Sequence, residues 1–216
     1  MDLVRSVTDY LPGMLRAGVL AFQITLLAIL LSWVLGLATA LMKTSGNALL
    51  AAPAGFYVWF IRGTPSLIQI FIIYFGLPQI GIRMSPFVAG VVALGLCSGA
   101  YVAEVVRAGL MAIPKGQWES ARAIGMAPAL LMRRIILPQV VRIIVPPLTN
   151  EAINTLKNTS LLSAITVMEL TLYTQMAIAA TFRPFDFYIM AALLYLVMTT
   201  LLSRFATWFE RRFQIH

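Results

Sequence analysis

Apolar residues run in long blocks along this chain, and short charged segments separate them. Residues 17–42 form 26 consecutive positions without a charge. About 20 apolar residues span a bilayer, so this block predicts a first transmembrane helix. The residues before it carry Asp2, Arg5, Asp9 and Arg16, with no net charge. Residues 38–40 faintly match a signal-peptidase site, but the leader has no positive excess and the apolar run is too long, so cleavage is rejected. Residues 49–61 and 66–82 are apolar on either side of Arg62-Gly63-Thr64-Pro65. They predict one second span over roughly 54–78, bent at the Gly-Thr-Pro, with Arg62 snorkelling to the headgroups. A third span covers 84–103 and ends at Glu104, with Arg107 one turn on. Its Gly95 and Gly99 form a small-xxx-small pair that permits close helix packing.

The fourth block, 140–162, is unusual. Pro146-Pro147 predicts a break in its hydrogen-bond ladder. Asn150, Glu151, Asn154 and Lys157 lie in its middle and far half. Residues 164–182 predict an external segment lying on the bundle. Residues 187–208 are the last span, anchored by Arg204, Glu210, Arg211 and Arg212. The fold class is therefore an all-α integral membrane protein with five transmembrane helices, in one domain over 1–216, without an internal repeat.

The longest stretch unsuited to lipid is 115–139, with Lys115, Glu119, Arg122, Arg133 and Arg134. Pro114 sits where a proline costs a helix little, and Gly125 and Pro128 are stop signals. Ala121 and Gly125 are four apart, which on one helix puts them on one nearly bare face that another protein could approach. Trp118 gives this short helix an amphipathic edge.

Composition reinforces the pattern. The 216 residues are 60% hydrophobic and 11% charged, with a mean hydropathy of +0.88, whereas soluble domains carry roughly 25% charged residues. The net charge of +8 is spread over the loops between apolar blocks, so it reflects topology and not nucleic-acid binding. A cytoplasmic 115–139 segment puts 11 Lys and Arg residues inside and 5 outside, which predicts the N-terminus outside and the C-terminus inside. The single Cys97 excludes an internal disulfide, and with His216 as the only histidine a His/Cys metal site is not expected. No phosphate-loop motif, HExxH motif or Ser/His/Asp set is present, so neither ATP binding of that kind nor hydrolysis is expected of this chain.

Glu151 is the most informative side chain. It lies thirteen residues beyond Pro138, which at about 1.5 Å per residue places it near the bilayer middle. A carboxylate there must be paired, protonated or wet, and facing a transport path it would favour an ammonium or guanidinium. Asn150 and Asn154 could add neutral hydrogen bonds. Glu104 reads as an interfacial partner of Arg107, and Lys157 as a residue reaching the outer headgroups, with a substrate carboxylate as its alternative. Tyr101 and Gln69 are further pathway candidates.

Glu119, Ala121, Gly125, Ile135, Leu137 and Pro138 have the spacing that resembles the EAA loop of bacterial ABC importer permeases, with Ser120 as a departure at the second position. The segments RGTP, AYVAEVVRAG (100–109) and NEAINTLKNTSL (150–161) fall in the order seen in permeases of polar amino acid importers of the histidine/glutamine type. The resemblance implies a type I ABC importer permease fold in the bacterial inner membrane, with a coupling loop at 112–134. It implies a permease homodimer or heterodimer, two cytoplasmic ATP-binding subunits that carry the ATP and Mg, and a periplasmic or extracellular substrate-binding protein. Glu119, Ala121, Arg122, Gly125 and Met126 would be the ATPase coupling residues. Glu151, Asn150, Glu104, Tyr101 and Asn154 would line the pathway of a polar, in some members cationic, amino acid. The rival is a secondary transporter or channel using Glu151 as an ion or proton site, although five spans without an inverted repeat are unusual for that class.

Overall fold

The structure, a computed structural model, describes residues 3–213. His216 and Asp2 lie outside the described residues, as do the side chains of Arg5 and Arg212. The first apolar block forms α1 (Leu3–Thr44), which begins well before the expected span because residues 3–16 are also helical. Asn47 then caps α2 (Ala48–Gly63), its side chain accepting from the Leu49 amide at 3.0 Å. Pro65 ends this helix physically, because the residue before a proline is driven out of the helical region, and Thr64 is extended (φ −124°, ψ 150°). Helix α3 (Ser66–Phe71) restarts at once and passes through a π turn and a 3-10 turn to Ile80.

The bend expected at the Gly-Thr-Pro is present, and it is sharp. The segments on either side of the Thr64-Pro65 break meet at 113°. Gln69 fixes this corner. Its Nε2 donates to the carbonyls of Ile61 (2.7 Å) and Thr64 (3.0 Å) and to the Thr64 hydroxyl (2.8 Å). Those contacts supply partners to the carbonyls that a helix end leaves unpaired. Its Oε1 accepts from Cys97 Sγ at 2.7 Å.

Helix α4 (Pro86–Met111) starts with Ser85 as cap and Pro86 in the first turn. It is the hub: 61% of its most apolar stretch is buried, against 11% for α9 (Pro184–Phe213). Glycine makes this possible. A Cβ on Gly95 would collide with Leu31 of α1, and one on Gly99 would lie 2.8 Å from the Tyr57 hydroxyl. That hydroxyl donates to the Leu96 carbonyl at 2.6 Å. The small-xxx-small pair thus packs α4 against both α1 and α2.

After α4 come α5 (Lys115–Ala123), α6 (Pro128–Leu131) and, through a π turn, α7 (Leu137–Asn158). Helix α7 continues through Pro146 and Pro147 where a break is expected; only the bonds that proline nitrogens cannot donate are missing. The Thr149 hydroxyl donates to the Pro146 carbonyl at 2.8 Å beside that gap. A 3-10 stretch (Thr159–Ile165) leads to α8 (Leu170–Thr181), a regular helix within the segment 164–182. Glu169 is the reason: its carboxylate accepts from the Thr171 and Leu172 amides and from the Tyr195 hydroxyl.

Among the described residues, α1, α4 and α9 are long and apolar enough to cross a membrane, and the bent pair makes a fourth if taken as one span. Helix α7 is not among them, because Arg142, Asn150, Glu151, Asn154 and Lys157 interrupt its apolar surface.

Candidate functional site

Two groups of side chains stand out. The first surrounds Glu151 on α7. Ser98 of α4 donates to Glu151 Oε1 at 2.6 Å, and the Ser98 and Thr155 hydroxyls are themselves 2.6 Å apart. Thr155 also donates to the Glu151 carbonyl at 2.9 Å. Ser98 and Thr155 are buried, so the carboxylate is held on this side by the Ser98 hydroxyl, with Thr155 behind it. Its other side opens into a cavity of about 420 Å³ lined by Ser66, Tyr101, Glu151, Asn154, Lys157 and Asn158. This cavity lies where the start of α3, the middle of α4 and the far half of α7 converge.

Three of the expected pathway residues, Tyr101, Glu151 and Asn154, thus share one cavity. Asn150 is exposed and does not line it. Glu104 belongs to the second group. Its carboxylate accepts from Lys43 Nζ at 2.5 Å and from Arg107 at 2.8 Å, with Arg62 at 3.8 Å. These cations sit in the last turns of α1 and α2 and near the end of α4, where positive charge also complements the helix dipoles. Arg62 does not simply snorkel: its guanidinium lies over the Tyr101 ring, 5.5 Å from the centroid. Tyr101 therefore stands between the ion cluster and the cavity. Gln69 is buried in the α2–α3 corner and does not line the cavity.

Ser98 was not singled out by sequence reasoning, and Lys157 was read first as reaching the outer headgroups, with a substrate carboxylate only as the alternative. For Lys157 the signal existed. Residues 150, 151, 154, 157 and 158 are all polar, and their spacing is that of one helical face. Ser98 gave no signal among its small neighbours.

The loop between α4 and α7 forms a separate feature. Helix α5 stops at Ala123 because Gly125 adopts a left-handed conformation (φ +79°). The Met126 amide returns to the Ala121 carbonyl at 3.1 Å and the Gly125 amide to Arg122 at 2.9 Å, the double closure of a Schellman motif. Ala121 and Gly125 consequently share no bare helical face. Ala121 turns inward, 2% exposed, against Ile113, Leu131, Ile136 and Val140. Trp118 packs beside it as the apolar edge of this helix, and Met126 is half-buried in the same cluster. Glu119, Arg122, Ile124 and Gly125 face outward, and Ile124 is 77% exposed.

Residues 32–215 match the protein family described as "Binding-protein-dependent transport system inner membrane component". The octopine transport system permease protein OccM of Rhizobium meliloti is 42% identical over 214 residues, covering 92% of this chain and 87% of that protein. The probable glutamine ABC transporter permease protein GlnM of Bacillus subtilis is 40% identical over 183 residues, covering 85% of each. Among solved structures, an amino acid ABC transporter determined with histidines matches with a TM-score of 0.92 at 40% identity, over 98% of this chain and 99% of that one. An inward-facing MetNI methionine ABC transporter matches with a TM-score of 0.67 at 21% identity, over 99% and 96% of the two chains; that likeness speaks for the fold alone.

Proposed function

The chain belongs to the binding-protein-dependent transport system inner membrane components, and from that premise we propose that it is the permease subunit of an ABC importer that moves a polar amino acid through the Glu151 cavity. The observation that carries this reading is that Glu151 and Lys157 line one cavity without pairing with each other. A free amino acid is a zwitterion. Its ammonium complements Glu151, its carboxylate complements Lys157, and Asn154, Asn158 and Ser66 offer neutral hydrogen bonds to what remains. A cationic side chain would place a second positive charge near Glu151. The relatives named for octopine and glutamine transport, and the neighbour determined with histidines, are in keeping with such a ligand.

The energy for transport comes from elsewhere, since the chain has no phosphate-loop motif. Two cytoplasmic ATPases would dock on the outward face of α5, through Glu119, Arg122, Ile124 and Gly125, while Ala121 and Met126 support that face from within. A second permease copy or a paralogue completes the pathway, and an external binding protein delivers the amino acid. In this arrangement α7 is a span too, the fourth of five along the chain. It is too polar to face lipid along its length, and a helix that lines a polar path need not do so. The N-terminus lies outside and the C-terminus inside, following the excess of cations on the coupling-loop side.

Exchange of one atom tests the assignment. Glu151→Gln keeps the shape and the Ser98 contact but removes the charge. In proteoliposomes holding the whole importer, uptake of arginine, lysine or histidine should fall roughly tenfold or more, the weight of one charge-assisted hydrogen bond, and glutamine uptake should fall less. An equal loss for every amino acid would confine Glu151 to the α-ammonium they share, and unaltered uptake of all of them would overturn its place in the pathway.

A further inference from the structure

A second and larger recess, of about 620 Å³, lies between α7 and α9 and meets the first cavity at Lys157. Three cations line it, Lys157, Arg204 and Arg211, together with the hydroxyls of Thr199 and Ser203. Those hydroxyls are already spent within α9. Thr199 donates to the Tyr195 carbonyl at 2.8 Å and Ser203 to the Thr199 carbonyl at 2.7 Å. Thr200 and Thr207 add hydroxyls to the lining, and the charge of the recess comes from the three cations alone. No carboxylate among the described residues lies within ion-pair distance of any of the three. The nearby Glu210 accepts instead from Thr149 at 2.7 Å.

Position makes this costly. Lys157 faces Leu196 and Thr199, near the middle of the span Pro184–Trp208. A lone cation at that depth is expensive in hydrocarbon. The recess thus calls for an anion. It also has a direction. Helices α7 and α9 run antiparallel, with Thr149 against Glu210 and Lys157 beside Leu196. Going from Lys157 to Arg204 to Arg211 therefore leads from the Glu151 cavity toward the end of α7 that joins the coupling loop.

We propose that this recess is a release track for carboxylates: an amino acid leaving Glu151 is passed by its carboxylate from Lys157 to Arg204 and then to Arg211. The inference rests on the reading of the chain as an amino acid permease and adds to it the residues of the exit. It also gives the exit a filter. A free inorganic cation would be repelled along the whole track, whereas any solute with one carboxylate would find successive partners about one or two helical turns apart.

The test uses the complete importer in lipid, with its ATPase and binding protein. The double variants Arg204→Gln/Arg211→Gln and Arg204→Lys/Arg211→Lys are compared with the unaltered chain for amino acids moved per ATP hydrolysed. The glutamine pair should lower that ratio roughly tenfold, as expected for losing a charged hydrogen bond, and the lysine pair should restore most of it. An unchanged ratio in the glutamine pair overturns the track. So does loss of complex assembly in that pair, which would make the arginines contacts to a partner chain. The third overturning result comes from lipid. If the unaltered importer loses the same activity in wholly zwitterionic bilayers, and the glutamine pair ignores lipid charge, the recess holds a headgroup phosphate. An unaltered complex that moves no amino acid at all would sink the permease reading as well, and is distinguishable because it needs no variant.

Discussion

At the scale of single residues, the interior of this protein uses polar side chains as fasteners. Gln69 shows it best. One amide group serves the two carbonyls of Ile61 and Thr64, and its oxygen takes the Cys97 thiol. Gln69→Leu would fill the same space and leave those carbonyls without a donor, at about 1–3 kcal/mol for each buried orphan. The detergent-solubilised variant should melt at a clearly lower temperature than the parent chain. An unaltered melting temperature would mean that other donors reach the corner. Sequence reading ranked Gln69 with the pathway candidates, since a lone polar residue in an apolar span points to a pathway and to a structural tether alike. Only the position of Pro65, four residues from the carbonyl it strands at Ile61, hinted at the second role. Glu151 was easier to read, because a carboxylate in the middle of an apolar block is too expensive to be incidental.

The break at Thr64-Pro65 and the stop at Gly125 were legible in the sequence, and other helix ends follow local chemistry too. Asn47, Pro65, Ser85 and Pro86, and Gly125 all act where their side chains or their lack of one demand. Angles and facing directions were not. No local rule sets 113° at the α2–α3 corner, and the inward turn of Ala121 depends on α6 and α7 folding back over it. The loop after α5 therefore owes its outward surface to Gly125, two positions past the end of that helix. A residue other than glycine at Gly125 would pay about 1–2 kcal/mol for the left-handed backbone, although no atom lies near enough to obstruct its Cβ. Gly125→Arg adds bulk and charge to that strain. It should leave the amount of chain in the membrane unchanged while ATP hydrolysis ceases to respond to loaded binding protein. Gly125→Asn, which tolerates the same backbone, should keep much of the response. Normal uptake by the arginine variant would refute docking at this turn.

For the molecule as a whole, α4 is the fixed body and α9 the open flank. Five apolar blocks were visible in the sequence, yet the block forming α7 does not by itself have the length and apolarity of a span, since polar residues interrupt it. Orientation rests on charge. An epitope at the C-terminus should be cleaved by protease only in inside-out vesicles, and one at the N-terminus only in right-side-out cells. The reverse pattern would invert the assignment of the coupling loop.

The buried pairing of Cys97 with Gln69 has a practical side. It is the chain's one sulfhydryl, 5% exposed, and its hydrogen is already given to an amide oxygen at 2.7 Å. Maleimides, spin labels and fluorophores added from water meet no other thiol. The native sequence is thus its own blank, and a cysteine introduced on α5 or along α9 would report alone on how those surfaces move through the turnover cycle.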